Sequence, residues 1–239
     1  MASVIDIVYP VKKSKWELEI LYSLRSLDMY FKTPFCVHIC GDYRPEWLVN
    51  VEYRQFDRNP EFCTEKNIAP ILEWACRSFS EFIWVNDDVY FLKDTNTEDL
   101  RPYCHVGNLS EHKNRGHRRW QKLLWETYDA LSSCGVAPVL NYSTHMPIHY
   151  KSDELLSCAS DFPIFFGQML HETVYHNIFR AGTQEKLTCK AGFYDRIKQN
   201  FDGLKGGKYR VLNHDDNGLT DGLKTEIADL FSKKSKFER

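Results

Sequence analysis

Ile83-Trp84-Val85-Asn86-Asp87-Asp88 decides how this chain is read. The apolar run over 82–85 has the composition of a buried strand, and residues 89–92 continue extended. Between them stand one amide and two carboxylates. Asn-Asp is common turn chemistry, but adjacent anions at a strand end repel each other unless something positive compensates. A hard divalent cation, Mn2+ or Mg2+, held by carboxylate oxygens and completed by phosphate oxygens, would do so.

Working outward, strands alternate with helices. Residues 4–9 form a short apolar run closed by Pro10, and 35–40 a second strand ended by Gly41-Asp42; 51–56 is a third. Ser14 can cap a helix whose apolar face carries Trp16, Ile20, Leu24 and Leu27. A helix over 69–79 follows, with Asn67 as cap and Pro70 in its first turn. The second half is less regular. Helices are expected over 120–132, 152–159, 167–179 and 219–231, with strands over 139–142 and 209–212 and a Lys-rich frayed tail. The alternation predicts an α/β fold, Rossmann-like, with a largely parallel central sheet flanked by helices. Ligands of such sheets sit beyond the carboxyl ends of the strands, where Asn86-Asp87-Asp88 falls. No repeat or Pro/Ser-rich linker divides the chain, so residues 1–239 are expected to form one domain.

Its 239 residues are ample for a closed core. Hydrophobic residues at 43% and charged residues at 27% argue against disorder. Lys+Arg number 31 and Asp+Glu 33, a net charge of −2, so a polyanionic partner would have to be met by a local patch. No apolar run reaches membrane-spanning length, and the amino-terminal residues have neither a secretory pattern nor a basic amphipathic one. The eight cysteines, at 36, 40, 63, 76, 104, 134, 158 and 189, are scattered in mostly apolar surroundings without a Cys-x-x-Cys pair. They read as reduced, mostly buried thiols of a cytoplasmic protein.

A strand ending in acidic residues at this position resembles the DXD motif of nucleotide-sugar transferases with the GT-A fold. A fuller resemblance is to the Stealth family of sugar-phosphate transferases. It is carried by Ile5-Asp6-Ile7-Val8-Tyr9, then by Tyr22-Ser23-Leu24-Arg25-Ser26-Leu27 with Pro45-Glu46-Trp47-Leu48 downstream. Phe79-Ser80-Glu81 and the run from Phe82 to Asp88 follow, then His145-Met146-Pro147 and Leu212-Asn213-His214-Asp215. The resemblance implies a single GT-A-like domain. Residues of about 1–100 would bind a nucleoside-diphosphate sugar, UDP-sugar being the expected donor, and about 101–239 would face the acceptor. The family's arginine tied to phosphotransfer has no counterpart in Phe165-Phe166-Gly167-Gln168, and Arg180 is the nearest. Transfer of the sugar itself to an acceptor hydroxyl is therefore expected, with sugar-1-phosphate transfer to a polysaccharide as the alternative.

Roles follow from chemistry. Asp88, helped by Asp87, would hold Mn2+ or Mg2+ against the donor diphosphate, with Asp215 or His214 as further ligands. Asn86 could bond the ribose, the backbone of Val8, Tyr9 and Pro10 could frame the base, and Arg25 could face the phosphates. His145 is the candidate general base, because imidazole titrates near neutrality; Glu172 and Asp153 are fallback bases. His171 and His176 are five apart on one helix and do not read as a metal pair. Residues 112–122 form a basic run without a carboxylate. Its Lys113, Arg115, Arg118 and Arg119 could contact the donor diphosphate, an acidic glycan or nucleic-acid phosphates. The acceptor would be a glycan, or DNA carrying hydroxymethylated bases as in phage. A reading of another class makes the chain a non-catalytic nucleic-acid-binding module acting through 112–122.

Overall fold

The computed structural model describes residues 4–101, 103–111, 119–179, 184–197 and 199–239. Its strands are β1 (Ile5–Val11), β2 (Phe35–Gly41), β3 (Glu52–Gln55), β4 (Glu81–Trp84), β5 (Val89–Phe91), β6 (Tyr103–His105), β7 (Ile148–Lys151), β8 (Gln184–Lys186), β9 (Lys190–Phe193) and β10 (Val211–His214). Its α-helices are α1 (Glu19–Tyr30), α2 (Thr64–Ser78), α3 (Arg119–Ser133), α4 (Ser152–Asp161), α5 (His171–Phe179) and α6 (Asp221–Leu230).

The main sheet runs β3-β2-β1-β4-β7. All its neighbours are parallel except β7, which lies antiparallel to β4 with Trp84 opposite Ile148. Side-chain alternation divides the core in two. Val8, Phe82 and Trp84 point to one face, packed with Leu72 and Cys76 of α2, Leu155 of α4 and Val174 of α5. Ile7, Tyr9, Ile83 and Val85 point to the other, against Ile20, Leu24 and Leu27 of α1. Burial of both faces is what a parallel sheet requires, and the expected α/β architecture with a mainly parallel, helix-flanked sheet is the one observed.

β5 leaves this sheet after the acidic turn. It pairs antiparallel with β10, which pairs parallel with β9, so a second sheet of order β5-β10-β9 stands beside the first. A two-stranded parallel pair joins β6 and β8.

Several local expectations are corrected. Residues 139–142 are not a strand: Leu140 and Tyr142 give their backbone groups to Asn177 and Thr173 on α5. The strand is β7, whose buried His149 hides the apolar alternation and bonds Glu81 at 3.0 Å. α2 begins at Thr64, so Pro70 lies well inside it, and the Asn67 side chain ties the helix to the preceding loop through Asn59 rather than capping it. α1 begins at Glu19, leaving Ser14 and Trp16 outside it. The tail is not frayed. Phe237 is buried, Val49 N–H donates to Phe237 O at 2.9 Å, and Glu238 pairs with Arg25.

Candidate active site

Because β1, β2 and β4 run in the same direction, their carboxyl ends open on one side. Pro10, Val11 and Lys12, Gly41 and Asp42, and Asn86, Asp87 and Asp88 line a cavity of about 430 Å3 there. The same cavity is also lined by Ser143, His145 and Met146 before β7, Leu170, His171 and Glu172 around the start of α5, and Trp120 of α3. Gly41 is required at this edge, since a Cβ there would sit 1.8 Å from the Val11 carbonyl oxygen.

The acidic turn connects the two sheets. Val85 N–H continues the ladder to Val8 O at 3.0 Å, and Val89 N–H closes the turn on Asn86 O at 3.2 Å. From the second sheet, Asn213 donates to Asp88 O at 3.3 Å while accepting from Tyr194 OH at 2.7 Å. β10 thus fixes the turn and sets His214 beside it. His214 stacks on Tyr90, its Nε2 3.0 Å from the Tyr90 hydroxyl.

Negative charge is concentrated here. Burial, then Asp88 and Glu19, drives the Asp87 carboxyl well above its usual range. Burial raises Glu19 to about 7, with Asp88 and Asp216 adding to the shift; a hydrogen bond from Ser14 and the charge of Lys12 oppose it. Lys190 is pulled down to about 8 by burial, against the attraction of Asp88, and its ammonium donates to Thr144 O.

These residues fit a divalent cation. Asp88 Oδ1 and His214 Nδ1 are both buried without a partner in hydrogen-bonding geometry; burial holds the His214 imidazole below its usual pKa, against the opposing charge of Asp88 and the nearby Asp215 backbone. Buried polar atoms of this kind call for an explanation. In the tautomer whose Nε2–H donates to the Tyr90 hydroxyl, His214 Nδ1 keeps the lone pair that a cation needs. Among the described residues no three His, Cys, Asp or Glu side chains form a ready cage. One or two carboxylates completed by water and substrate phosphates is a normal arrangement for Mg2+.

His145 holds a left-handed backbone, φ 52°, in the cavity lining, unusual for a residue with a Cβ. Asn86 donates to its Nδ1 at 3.3 Å, and Asp88 Oδ2 is 3.9 Å from the same nitrogen. Asn86, Asp87, Asp88 and His145 are therefore brought together, with Pro10 at the same edge.

The side chains of Val8 and Tyr9 are fully buried in β1, with Tyr9 OH accepting from Ser23, while their backbone leads to Pro10 at the cavity. Arg25 is corrected: its guanidinium is held by Glu238 at 2.9 and 2.7 Å and by Phe231 O at 3.0 Å, away from the cavity. Asp215 Oδ1 accepts from Asn217 and Gly218 N–H, and Asp216 pairs with Lys15 at 3.4 Å. Arg119 reaches Glu126 at 3.8 Å. Lys113, Arg115 and Arg118 lie outside the described residues. Of the fallback bases, Glu172 lines the cavity, whereas Asp153 accepts a bond from Glu154 N–H at the start of α4.

Sequence reasoning missed Lys12, Glu19 and Lys190. Lys12 was findable by applying the carboxyl-edge rule to β1 as well as β4. Glu19 sits at the start of an amphipathic helix, and Lys190 in a short strand, with no local signal of proximity to Asp88.

Comparison with solved structures decides the architecture. The chain aligns with the galactosyltransferase LgtC in complex with donor and acceptor sugar analogs, at TM-score 0.52 and 12% identity over 98% of both chains. The fold is that of the GT-A glycosyltransferases. An active-site mutant of LgtC aligns at TM-score 0.50, with 12% identity over 97% of this chain and 98% of that one. The apo structure of the bifunctional glycosyltransferase WbbM aligns at TM-score 0.55 and 8% identity over 98% of this chain; the chain spans 50% of WbbM. At these identities what the GT-A structures share with the chain is the fold. No protein-family model and no curated protein sequence matches the chain, and the similarity to the Stealth family is not shown.

Proposed function

We propose that this chain is a metal-dependent glycosyltransferase that moves a sugar from a nucleoside-diphosphate sugar to a hydroxyl of a glycan. The observation that carries this reading is the pair of buried, partnerless atoms, Asp88 Oδ1 in the turn at the carboxyl edge of the main sheet and His214 Nδ1 on β10 of the sheet beside it. The LgtC complex with sugar analogs of donor and acceptor supports a sugar at both ends of the reaction. The chain acts as one unit: residues before about 100 supply the donor wall and later ones the acceptor wall, as the cavity lining suggests.

Asp88 and His214 hold Mn2+ or Mg2+, with Asp87 behind them. When bound, the cation neutralises charge that develops on the departing nucleoside diphosphate. The side chains do the rest. Lys12 offers a counter-charge for the diphosphate at the end of β1. Asn86 turns toward the ribose, which releases His145 Nδ1. His145, facing the cavity and 48% exposed, takes the proton of the acceptor hydroxyl. UDP-sugar is the donor class to try first.

The test is turnover of a panel of nucleotide sugars with Mn2+ or Mg2+, followed as release of nucleoside diphosphate. Release that requires the cation and is lost in Asp88→Asn supports the reading. No turnover and no thermal stabilisation with any donor contradicts it. Nucleoside monophosphate as product, with phosphorus left on the acceptor, would instead indicate sugar-phosphate transfer.

A further inference from the structure

Behind the wall that carries His145 lies a second, smaller cavity of about 100 Å3, bordered by Cys104, Cys189, Arg210, Thr144 and Met146. Cys104 on β6 and Cys189 just before β9 place their sulfurs 3.9 Å apart. Backbone bonds hold both strands at this point: Leu187 N–H donates to His105 O at 2.9 Å, and Arg210 N–H to Cys189 O at 2.7 Å. The two thiols are separated by 85 residues of chain, so only the fold brings them together.

We propose that Cys104 and Cys189 are an oxidation site, closed to a disulfide by hydrogen peroxide or a comparable small peroxide that enters this cavity. A cavity of this size exceeds the volume of a water molecule several times over and admits such a reagent. Nucleophilicity is assigned to Cys189. The hydrogen bond with Cys104 lowers its pKa, burial opposes this, and the charges of Arg210 and Lys93 support it. The buried thiols of Cys40, Cys76 and Cys158 are by contrast pushed up to about 12 by burial.

The Cys189 thiolate attacks one peroxide oxygen, the O–O bond breaks, and hydroxide leaves, giving a sulfenic acid. Cys104 then attacks that sulfur, the S–S bond forms and the sulfenic oxygen leaves as water. In sum, two thiols and one peroxide yield one disulfide and two waters. Closing the bond brings the sulfurs from 3.9 Å to about 2.05 Å. Lys190, adjacent to Cys189, donates to the Thr144 carbonyl, which links the cysteine pair to the segment that carries His145. The inference does not rest on the proposed transferase activity.

The test uses the reduced full-length chain at low concentration, treated with stoichiometric hydrogen peroxide. Remaining thiols are then alkylated and the peptides weighed. The expected product is an intramolecular Cys104–Cys189 cross-link, two hydrogens lighter and reversed by dithiothreitol, while exposed Cys36 and Cys134 are alkylated. In Cys104→Ser the cross-link is absent and a sulfenic-acid reagent such as dimedone labels Cys189. The proposal is overturned if Cys104 and Cys189 are recovered as alkylated thiols while other cysteines oxidise first. It is equally overturned if dimedone labels Cys189 no faster than Cys36 in Cys104→Ser.

Discussion

Asp88 and Glu19 show what charge crowding does at single residues. Replacing Asp88 by Asn removes an anion from a neighbourhood that already holds Asp87 and Glu19. Asp88→Asn is therefore expected to keep or raise the melting temperature while lowering donor turnover at least ~100-fold; parallel calorimetry and product assays check both halves. Glu19 gives a pH signature. Its folded carboxyl, raised to about 7 from 4.5, binds the proton more tightly than the unfolded chain does. Stability present below about pH 4.5 is thus lost as pH climbs through 7. In chelator, urea unfolding should show Glu19→Gln more stable than the native chain at pH 8, by at most about 3 kcal/mol, and nearly equal to it at pH 4. A native chain whose stability rises across that interval relative to the variant would refute the assignment. Asp87 and Asp88 were legible in the sequence because they are neighbours in it, after an unmistakable strand. His214 was legible only as an alternative, since its place depends on its contact with Tyr90 and on β10 lying beside the acidic turn. Lys190 approaches Asp88 through sheet pairing alone.

At the scale of elements, the carboxy-terminal segment behaves as a clasp. Arg25 on α1 is 15% exposed and Glu238 6%, with two charge-assisted bonds between them. Removing one partner of such a pair strands the other. Glu238→Ala should lose about 3 kcal/mol of stability in urea unfolding, with the turnover of the folded protein within about twofold of native. A loss of donor affinity without loss of stability would return Arg25 to the donor site. Gly41→Ala should be more damaging, because its new methyl meets the Val11 backbone where β1 and β2 end; a drop of more than about 2 kcal/mol is expected from the same measurement. Helices and strands with clean apolar periodicity, such as β1, β2, β4 and α3, could be read directly. β7 could not, because a buried histidine interrupts its pattern, and the tail could not, because its lysines conceal the anchoring Phe237 and Glu238.

For the whole molecule, parallel order in the main sheet gathers three strand ends at one edge, and the smaller sheet braces the turn between β4 and β5. The gathering of strand ends follows from strand–helix alternation and the carboxyl-edge rule. The second sheet does not, because β5 was expected only to continue from β4 and its partner lies more than a hundred residues on. Among the described residues no helix is long and apolar enough to cross a membrane. A cation and a nucleotide that bind only the folded chain should stabilise it together, by about 2.7 kcal/mol at a hundredfold excess over the dissociation constant.

The central claim is that Asp88 and His214 hold a divalent cation against a nucleoside diphosphate. Its most direct test is titration calorimetry of Mn2+ with UDP, and with other nucleoside diphosphates, into the native chain, Asp88→Asn and His214→Ala. The account predicts binding to the native chain for at least one nucleotide that depends on Mn2+ and weakens at least ~10-fold in each folded variant. Equal affinity in all three proteins, or no Mn2+-dependent binding of any nucleotide to the native chain, would contradict it.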